Sequence, residues 1–583
     1  MMENLEIAKV LYEISDILEM IGKPADRFRV VSYREAARTI EAFSTNLKNM
    51  SEEQIDAIPG VGKSILLKIK EMLKTGELKY LEKLRKKIPA GFLELMRVPG
   101  LGPSKIKLLY KKLKIESVED LEIEARRGKI AKIPTFGKKT EENILRGIAE
   151  IHRFRDRFPL GKIYPYAESM ANALKESKIC EKVELAGSIR RFREDIGDID
   201  ILVTSKKPKL AIATFINLPQ VQTILAKGVT KATVVTKIGI HADLRVVKAG
   251  QFGSALYYFT GSKDHNVAVR QIANSKGLTI NEYGVYKILG GKIGARKLGR
   301  RIAGQTEEEL FKSVGLPYIV PELRENRGEI EAAMQNKLPK LIQYGQIKGD
   351  LHLHTKFSDG SNTVLEMAEK AKELGYGYIA ITDHTRTIGV TGGLAEKDIP
   401  DYLRKVRAEA KKIHGIEILV GMEVDIRKDG TLDVPDRLLR EMDIVIASVH
   451  TSFSMPEEEM TKRVIRAMQN KYVNLFDHPT GRLIQEREPY KIDLDAVMKS
   501  ARETGVLLEL NAFWNRLDLN DVNCRKAVYD YGLKIIINSD SHNIGQMENM
   551  RFGIATARRG WLRKNDVINT LGFEEFMKAL KRK

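Results

Sequence analysis

From residue 348 onward the chain repeats one pattern seven times, a short apolar run followed by a helical stretch. The runs read KGDLHLH, YIAITDH, IEILVGMEV, IVIASVH, VNLFDH, GVLLELN and KIIINSDSH. Strands separated by helices do not pair as hairpins; each helix carries the chain back to begin the next strand in the same direction. The pattern predicts a parallel, barrel-like α/β domain with its chemistry at the C-terminal strand ends. Those ends are polar throughout. His352 and His354 are two apart on one strand and share a face, and Asp359 follows in the next loop. The second run ends at Asp383 and His384, the third at Glu423, the fourth at His450 and the fifth at His478. The sixth carries Glu509 and Asn511, and the seventh ends in Asp540 and His542. Six of the chain's ten histidines sit at these ends, which isolated core histidines do not explain. Mixed imidazole and carboxylate donors suit zinc, manganese or iron better than magnesium alone. Such clusters activate water and clamp phosphate.

Residues 151–318 differ in character. Short β-branched runs (KVELAG, DIDILVT, ATVVTKIG, ADLRVV) predict a small mixed sheet with helices. Within AGSIRRFREDIGDIDILVT, Asp198 and Asp200 alternate along the start of a strand, so both carboxylates point one way. Asp243, in HADLRVV, could complete a triad from another strand. Three carboxylates in one place repel unless cations neutralise them, and paired Mg²⁺ is the usual solution. The turn at Gly187 and Ser188 offers N–H groups and a hydroxyl to phosphates. A solvent-facing acidic strand edge is the alternative reading of the D-x-D pair alone. Residues 317–340 read as linker plus helix.

Residues 1–150 read as helical, from apolar spacing in LEIAKVLYEISDILEMIG and ILLKIKEML. Three related segments interrupt them: IDAIPGVGKSILLKI, LMRVPGLGPSKIKLL and IAKIPTFGKKTEENI. Each is a helix, a tight turn and a second helix; the third copy, at Gly137, is degenerate. Glycine lets backbone approach a phosphate closely, and the second helix presents its N-terminal N–H groups to the anion. Gly60, Gly62 and Lys63 in the first copy and Gly100, Gly102 and Lys105 in the second are the candidate DNA contacts.

The pattern H-x-H…D, TDH, GMEVD, ASVH, FDHP, NSDSH resembles the polymerase and histidinol phosphatase (PHP) domain over about 348–583. The resemblance implies a distorted (β/α)7 barrel, a phosphoesterase with two or three ions, Mn²⁺ or Zn²⁺, and nine ligands: His352, His354, Asp359, His384, Glu423, His450, His478, Asp540 and His542. The central segment, with YYFTGSKDHNVAVRQIANSKGLTINEYGVY, resembles the nucleotidyltransferase palm and nucleotide-binding subdomain of family X DNA polymerases, of which DNA polymerase beta is the familiar member. This implies that Asp198 and Asp200 bind two Mg²⁺ ions and Asp243 the catalytic one. It also implies that Gly187, Ser188, Arg191 and Gly197 meet the triphosphate, that Tyr258, Phe259 and Gly261 line the sugar, and that Asn266 and Arg270 face the nascent pair. Two departures stand out. His241 replaces an arginine beside the carboxylates. Lys263 replaces an acid beside the nucleotide and should attract triphosphate. The N-terminal turns resemble helix-hairpin-helix motifs, which implies duplex binding and a monovalent cation at the turn. The stretch KIKEMLKTGELKYLEKLRKK resembles the small lyase domain of the same family. Lys68 falls on its Schiff-base lysine, with a phosphate-contacting lysine as the alternative; Ser64 replaces a neighbouring lysine.

The implied organisation is a multidomain α/β chain: 1–88 lyase-like and helix-hairpin-helix, 89–150 a second hairpin subdomain, 151–256 palm, 257–318 nucleotide-binding subdomain, 319–347 linker and 348–583 PHP barrel. The net charge of +20 fits a polyanionic partner, or a lysine-rich solvated surface. Two distant cysteines exclude a disulfide framework. No stretch reaches the ~18 apolar residues that span a bilayer, and the N-terminus lacks a signal-peptide core. The expectation is a monomeric gap-filling DNA polymerase acting on gapped or primed duplex DNA and dNTP, cytoplasmic and nucleoid-associated, with no membrane partner. Its barrel is expected to trim 3′ nucleotides, remove 3′-phosphates or nick abasic sites. A nucleotidyltransferase with a non-DNA acceptor and a DNA-end-binding scaffold are the alternatives.

Overall fold

A computed structural model describes residues 4–22, 26–41, 47–56, 58, 61–89, 91–96, 98, 101–154, 157–290, 297–385 and 393–580. The chain forms two compact units: 1–156 with the segments 354–361 and 383–399, and the remainder. Among the described residues, no helix is long and apolar enough to cross a membrane.

The helices of residues 1–156 enclose one core. Ile7, Leu11, Ile14 and Leu18 recur at helical spacing along Asn4–Ile21 and are fully buried or nearly so, against Ala36, Ala37 and Ile40 of Arg27–Glu41. The helices Lys63–Thr75 and Pro103–Leu113 add Ile65, Ile69, Ile106 and Leu109 to the same core. Each starts from an extended glycine, Gly62 and Gly102. Gly76 ends the first in the left-handed region, at φ 75°, where a side chain would be strained.

In the second unit, a five-stranded sheet runs Lys182–Leu185, Asp198–Thr204, His241–Val247, Lys231–Thr236, Val221–Lys227. The central pair is parallel and the rest antiparallel. Side-chain alternation divides its faces. Ile199, Ile201, Val203, Ala242 and Leu244 pack beneath the helices Leu160–Glu176 and Pro208–Ile216. Leu202 packs on the opposite face, against Phe252, Ala255 and Leu256 of the helix Phe252–Thr260. Asp198 and Asp200 share the parity of Leu202 and so emerge on that second face. A three-stranded antiparallel sheet follows, Leu278–Asn281, Gly284–Gly290 and Lys297–Ala303.

The stretch 319–347 contains the helix Glu329–Met334 and carries buried charge. Arg324, fully buried, donates to Glu307, which also accepts from Arg190. Glu329 pairs with buried His265 at 2.7 Å.

Seven parallel strands then stand in sequence order: Gly349–Leu353, Tyr378–Ile381, Glu417–Asp425, Ile444–Ser448, Leu475–Phe476, Leu507–Asn511 and Ile535–Asn538. A bridge from Leu353 to Ser541 brings first and last together. The helix Phe573–Leu580 inserts Phe576 and Leu580 among Leu351, Tyr378, Ile446 and Ile536. The strands are buried on both faces, as a parallel sheet demands.

Candidate metal centres

Parallel register places Asp200 opposite Asp243, and Asp198 opposite His241. Partial burial and the charge of Asp243 raise the Asp198 carboxyl. Burial and the charges of Asp198 and Asp243 push Asp200 up to about 7, against the pull of Arg245 and Lys231. Lys231 Nζ stands 3.0 Å from Asp243 Oδ2 and neutralises one charge of three. Three carboxylates converging with one lysine are a donor set short of cations, which fits two divalent ions.

Gly187 has φ +65°, and a Cβ there would fall 2.5 Å from Asp200 Oδ2. Glycine is therefore required beside the carboxylate as well as at the turn. Ser188 belongs to the single turn Gly187–Arg190. Arg191 donates to Thr260 O and, at 3.0 Å, to Glu325. Gly197 faces the Arg157 guanidinium, 3.3 Å from where a Cβ would lie. Tyr258 is exposed and meets Phe259 edge-on, while Phe259 carries the Arg245 guanidinium at 4.2 Å. Gly261, at φ +70°, has Arg191 Nη1 3.1 Å from its Cβ position. Asn266 is buried and donates to Tyr258 O; Lys263 and Arg270 lie on the same helix, Lys263–Ser275, with Lys263 exposed. Lys231, Glu325 and Thr260 were not among the sequence candidates, since each acts through partners distant along the chain.

The strand ends of the barrel assemble a buried donor cluster. His352 Nε2 lies 3.2 Å from Glu423 Oε2 and 3.6 Å from Asp540 Oδ1. His450 and His478 reach Glu423 Oε1 at 3.0 and 3.3 Å. Glu423, Asp477 and His478 offer ligand atoms within 4.8 Å of one another. Burial alone would lower the His352 pKa, yet the charges of Asp540, Glu509 and Glu423 drive it well up. Glu423 and Asp425 likewise overcome burial and take His450 to about 10. Burial and the charge of Arg516 hold His478 down to about 3. So many buried carboxylates around imidazoles form a cage for a cation rather than a stable apolar interior.

Carboxylates also orient the rings. Glu509 Oε1 meets His352 Nδ1 at 3.0 Å, and Asp425 Oδ1 meets His450 Nδ1 at 2.8 Å. His542 Nδ1 lies 3.0 Å from the Asp540 carbonyl. Asp425 and Asp477 went unread in the sequence, although both flank a ligand candidate. On the segments 354–361 and 383–399, the His354 and His384 rings stack at 4.3 Å. Asp359 Oδ1 is 4.0 Å from His354 Nδ1, and its Oδ2 is 3.6 Å from His384 Nε2. Asp383 accepts from Thr355 and Ser358 and braces this group from behind.

In the hairpin region, Gly60 and Gly100 lie outside the described residues. Gly62 and Gly102 are exposed, and nothing stands within 4 Å of a Cβ at either. Their glycine identity answers no neighbour in the fold, which fits an approach from outside. Lys63 and Lys105 sit in the first turns of the helices that follow. Lys68 Nζ donates to Ser64 O and Oγ at 2.9 and 3.0 Å and lies 4.8 Å over Tyr80 and 5.7 Å over Tyr33.

Comparison with known proteins follows this geometry. Family models match the chain as a DNA polymerase beta thumb at 255–325, a PHP domain at 350–512, a helix-hairpin-helix domain at 2–78 and a SAM-like helix-hairpin-helix tandem at 92–150. The DNA polymerase/3′-5′ exonuclease PolX of Bacillus subtilis is 37% identical over the full length of both chains. A probable phosphatase of Thermoanaerobacter is 31% identical over 40% of this chain and 96% of its own. A probable phosphatase of Acetivibrio thermocellus is 33% identical over 33% of this chain and 78% of its own.

Proposed function

The chain belongs to the family X DNA polymerases that carry a C-terminal PHP domain, and on that premise we propose that it fills short gaps in DNA from dNTP and cleans the 3′ end with its barrel. What supports this reading is a carboxylate cluster in the palm and a separate, buried cluster of imidazoles and carboxylates in the barrel. The palm set is Asp198, Asp200 and Asp243. The barrel set is His352, His354, Asp359, His384, Glu423, His450, His478, Asp540 and His542, proposed as one centre.

Mg²⁺ in the palm and Mn²⁺ or Zn²⁺ in the barrel would supply Lewis acidity and an activated oxygen when bound. The protein's own groups do the rest. Asp243 would take the primer 3′-hydroxyl proton, with Lys231 Nζ 3.0 Å from its Oδ2. Gly187, Ser188, Arg191, Gly197 and Lys263 would cradle triphosphate. Gly261, Tyr258 and Phe259 would border the sugar, and Asn266 and Arg270 the base pair. The hairpins Gly60 to Lys63 and Gly100 to Lys105 would grip duplex backbone independently of sequence. Lys68 would contact a backbone phosphate, with a Schiff-base role as the alternative. We place the protein as a monomer in the cytoplasm, on the nucleoid, and divide it as 1–88, 89–150, 151–256, 257–318, 319–347 and 348–583.

The test uses 3′-labelled gapped DNA with Mn²⁺, with and without dNTP. Asp200→Ala should lose extension and keep 3′ hydrolysis, and His354→Ala the reverse. A single substitution that removed both activities would end the two-centre reading.

A further inference from the structure

Beyond the sixth barrel strand, the loop carrying Arg516 is anchored from behind. Arg482 Nε donates to Arg516 O at 2.8 Å, and Arg482 Nη2 to Leu517 O at 2.7 Å. The same Nη2 donates to Glu194 of the palm at 2.7 Å. The Arg516 backbone N–H donates to Phe513 O. Its backbone is thus held on both sides, and its side chain is held in the site rather than free in solvent.

That side chain is incompletely satisfied. Nε lies 3.5 Å from Asp540 Oδ2, while Nη1 is buried with no hydrogen-bond partner. The other carboxylate acting on it, Asp518, accepts from Thr480 N–H and hydroxyl and is also drawn by Arg482. A second guanidinium lies within electrostatic reach of the first. Arg487 donates to Gly481 O at 2.8 Å and stacks 4.2 Å over Phe453. Burial and the like charge of Arg516 bring Arg487 down to about 10. The positive field of Arg516 also reaches His478.

A buried, unused donor on Arg516, with the like charge of Arg487 acting on it, is unfavourable in the protein alone. An anion between them reverses this, and the planar guanidinium fork matches phosphate oxygens. Uncharged sugars or bases would leave the like-charge repulsion in place. We propose that Arg516, assisted by Arg487, is a phosphate-binding subsite of the barrel centre that holds the non-bridging oxygens of the 3′-terminal nucleotide's phosphate. Its Nε, 3.5 Å from Asp540 Oδ2, puts that phosphate beside the proposed ligand set. Nothing in the His and Asp pattern points to it, because it lies on an irregular loop.

The inference rests on reading the barrel as a phosphoesterase, so its test does not depend on turnover. Thymidine 5′-monophosphate is titrated calorimetrically into Mn²⁺-loaded full-length protein carrying Asp200→Ala, which silences the palm. Adding Arg516→Met should weaken binding about tenfold or more, at unchanged Mn²⁺ content. Arg516→Lys, which keeps charge but not the fork, should lose less. Unchanged affinity in Arg516→Met at full Mn²⁺ occupancy overturns the proposal. If Arg516→Met loses Mn²⁺, Arg516→Lys decides, and affinity equal to the parent's overturns it. A parent that binds the nucleotide yet never hydrolyses 3′ ends would refute the exonuclease reading while the calorimetry still decides this one.

Discussion

Asp200→Asn should stabilise the metal-free palm while abolishing synthesis. The Asp200 carboxyl sits at about 7 in the folded chain against an ordinary 3.8, through burial first and then Asp198 and Asp243. A raised carboxyl binds its proton more tightly in the folded state than in the unfolded one. Stability therefore falls as pH rises from about 4 to about 7, and the full penalty holds above 7. A shift of about 3 pH units at ~1.4 kcal/mol each gives a ceiling of roughly 4 kcal/mol. The site keeps some access to water, which screens the charges, so about 2 kcal/mol is the working figure. Asparagine keeps the shape and removes the charge. Hydrogen exchange of peptides covering Asp198–Thr204 and His241–Val247, in chelator, measures the opening free energy locally without assuming that a multidomain chain unfolds in one step. At pH 8 the variant's amides should be protected by about 2 kcal/mol more than the parent's, and at pH 4 equally. Mg²⁺ should close the gap at pH 8. A gain that is absent at pH 8, or equal at both pH values, refutes the argument that the triad is strained for want of cations.

Three further outcomes follow from named contacts. Glu307 is held at about 2, below the ordinary 4.5, because Arg324 and Arg190 outweigh burial; its stability is present above about pH 4.5 and lost as pH falls through about 2, amounting to ~3 kcal/mol. Glu307→Gln should cost about that much at pH 7, read as lost hydrogen-exchange protection of peptides covering Glu307–Ser313, and flatten the acid limb. Lys263→Ala should weaken dNTP binding about fivefold at low salt, as one exposed charge beside a polyanion is worth ~1 kcal/mol; an unchanged dissociation constant rules Lys263 out of nucleotide capture. Arg559→Met should raise the KM for dNTP severalfold while 3′ hydrolysis changes less than twofold, because Arg559 donates to Arg191 O and to Glu325, the carboxylate that also holds Arg191; Arg559→Lys should recover part of the loss.

The strand ends were legible because period and chemistry coincide there. A two-residue alternation fixes that His352 and His354, or Asp198 and Asp200, share a face, and the partner strands need only stand alongside. Val221–Lys227 was not read as a strand, since six of its seven residues are exposed and no alternation marks it. The thumb strands were equally silent beside the recognisable YFTGS run. Arg191 could be picked as a phosphate contact, but its tie to Glu325 and thence to Arg559 spans 368 residues and leaves no local pattern. Arg516 failed for the same reason: a lone arginine in FWNRLD says nothing until the fold leaves one of its donors buried.

Those long-range pairs also bear on how one chain uses two centres. Arg482 joins the barrel to Glu194 of the palm, and Arg559 donates to Arg191 O of the palm; Arg559, Arg558 and Asp521 join the barrel to Glu325, Glu322 and Arg327 of the stretch 319–347. Arg558, Arg559 and their glutamates are nearly fully buried. Substituting one partner of such a buried pair costs about 3–5 kcal/mol, because the other charge is left buried and uncompensated. We expect palm and barrel to keep a fixed relation during turnover. A 3′ end trimmed at the barrel and then extended at the palm must reach the second centre by movement of the DNA, with the strand unpaired or released in between. Exchange of the end should then slow as the terminal base pairs are strengthened, which a swinging domain would not require.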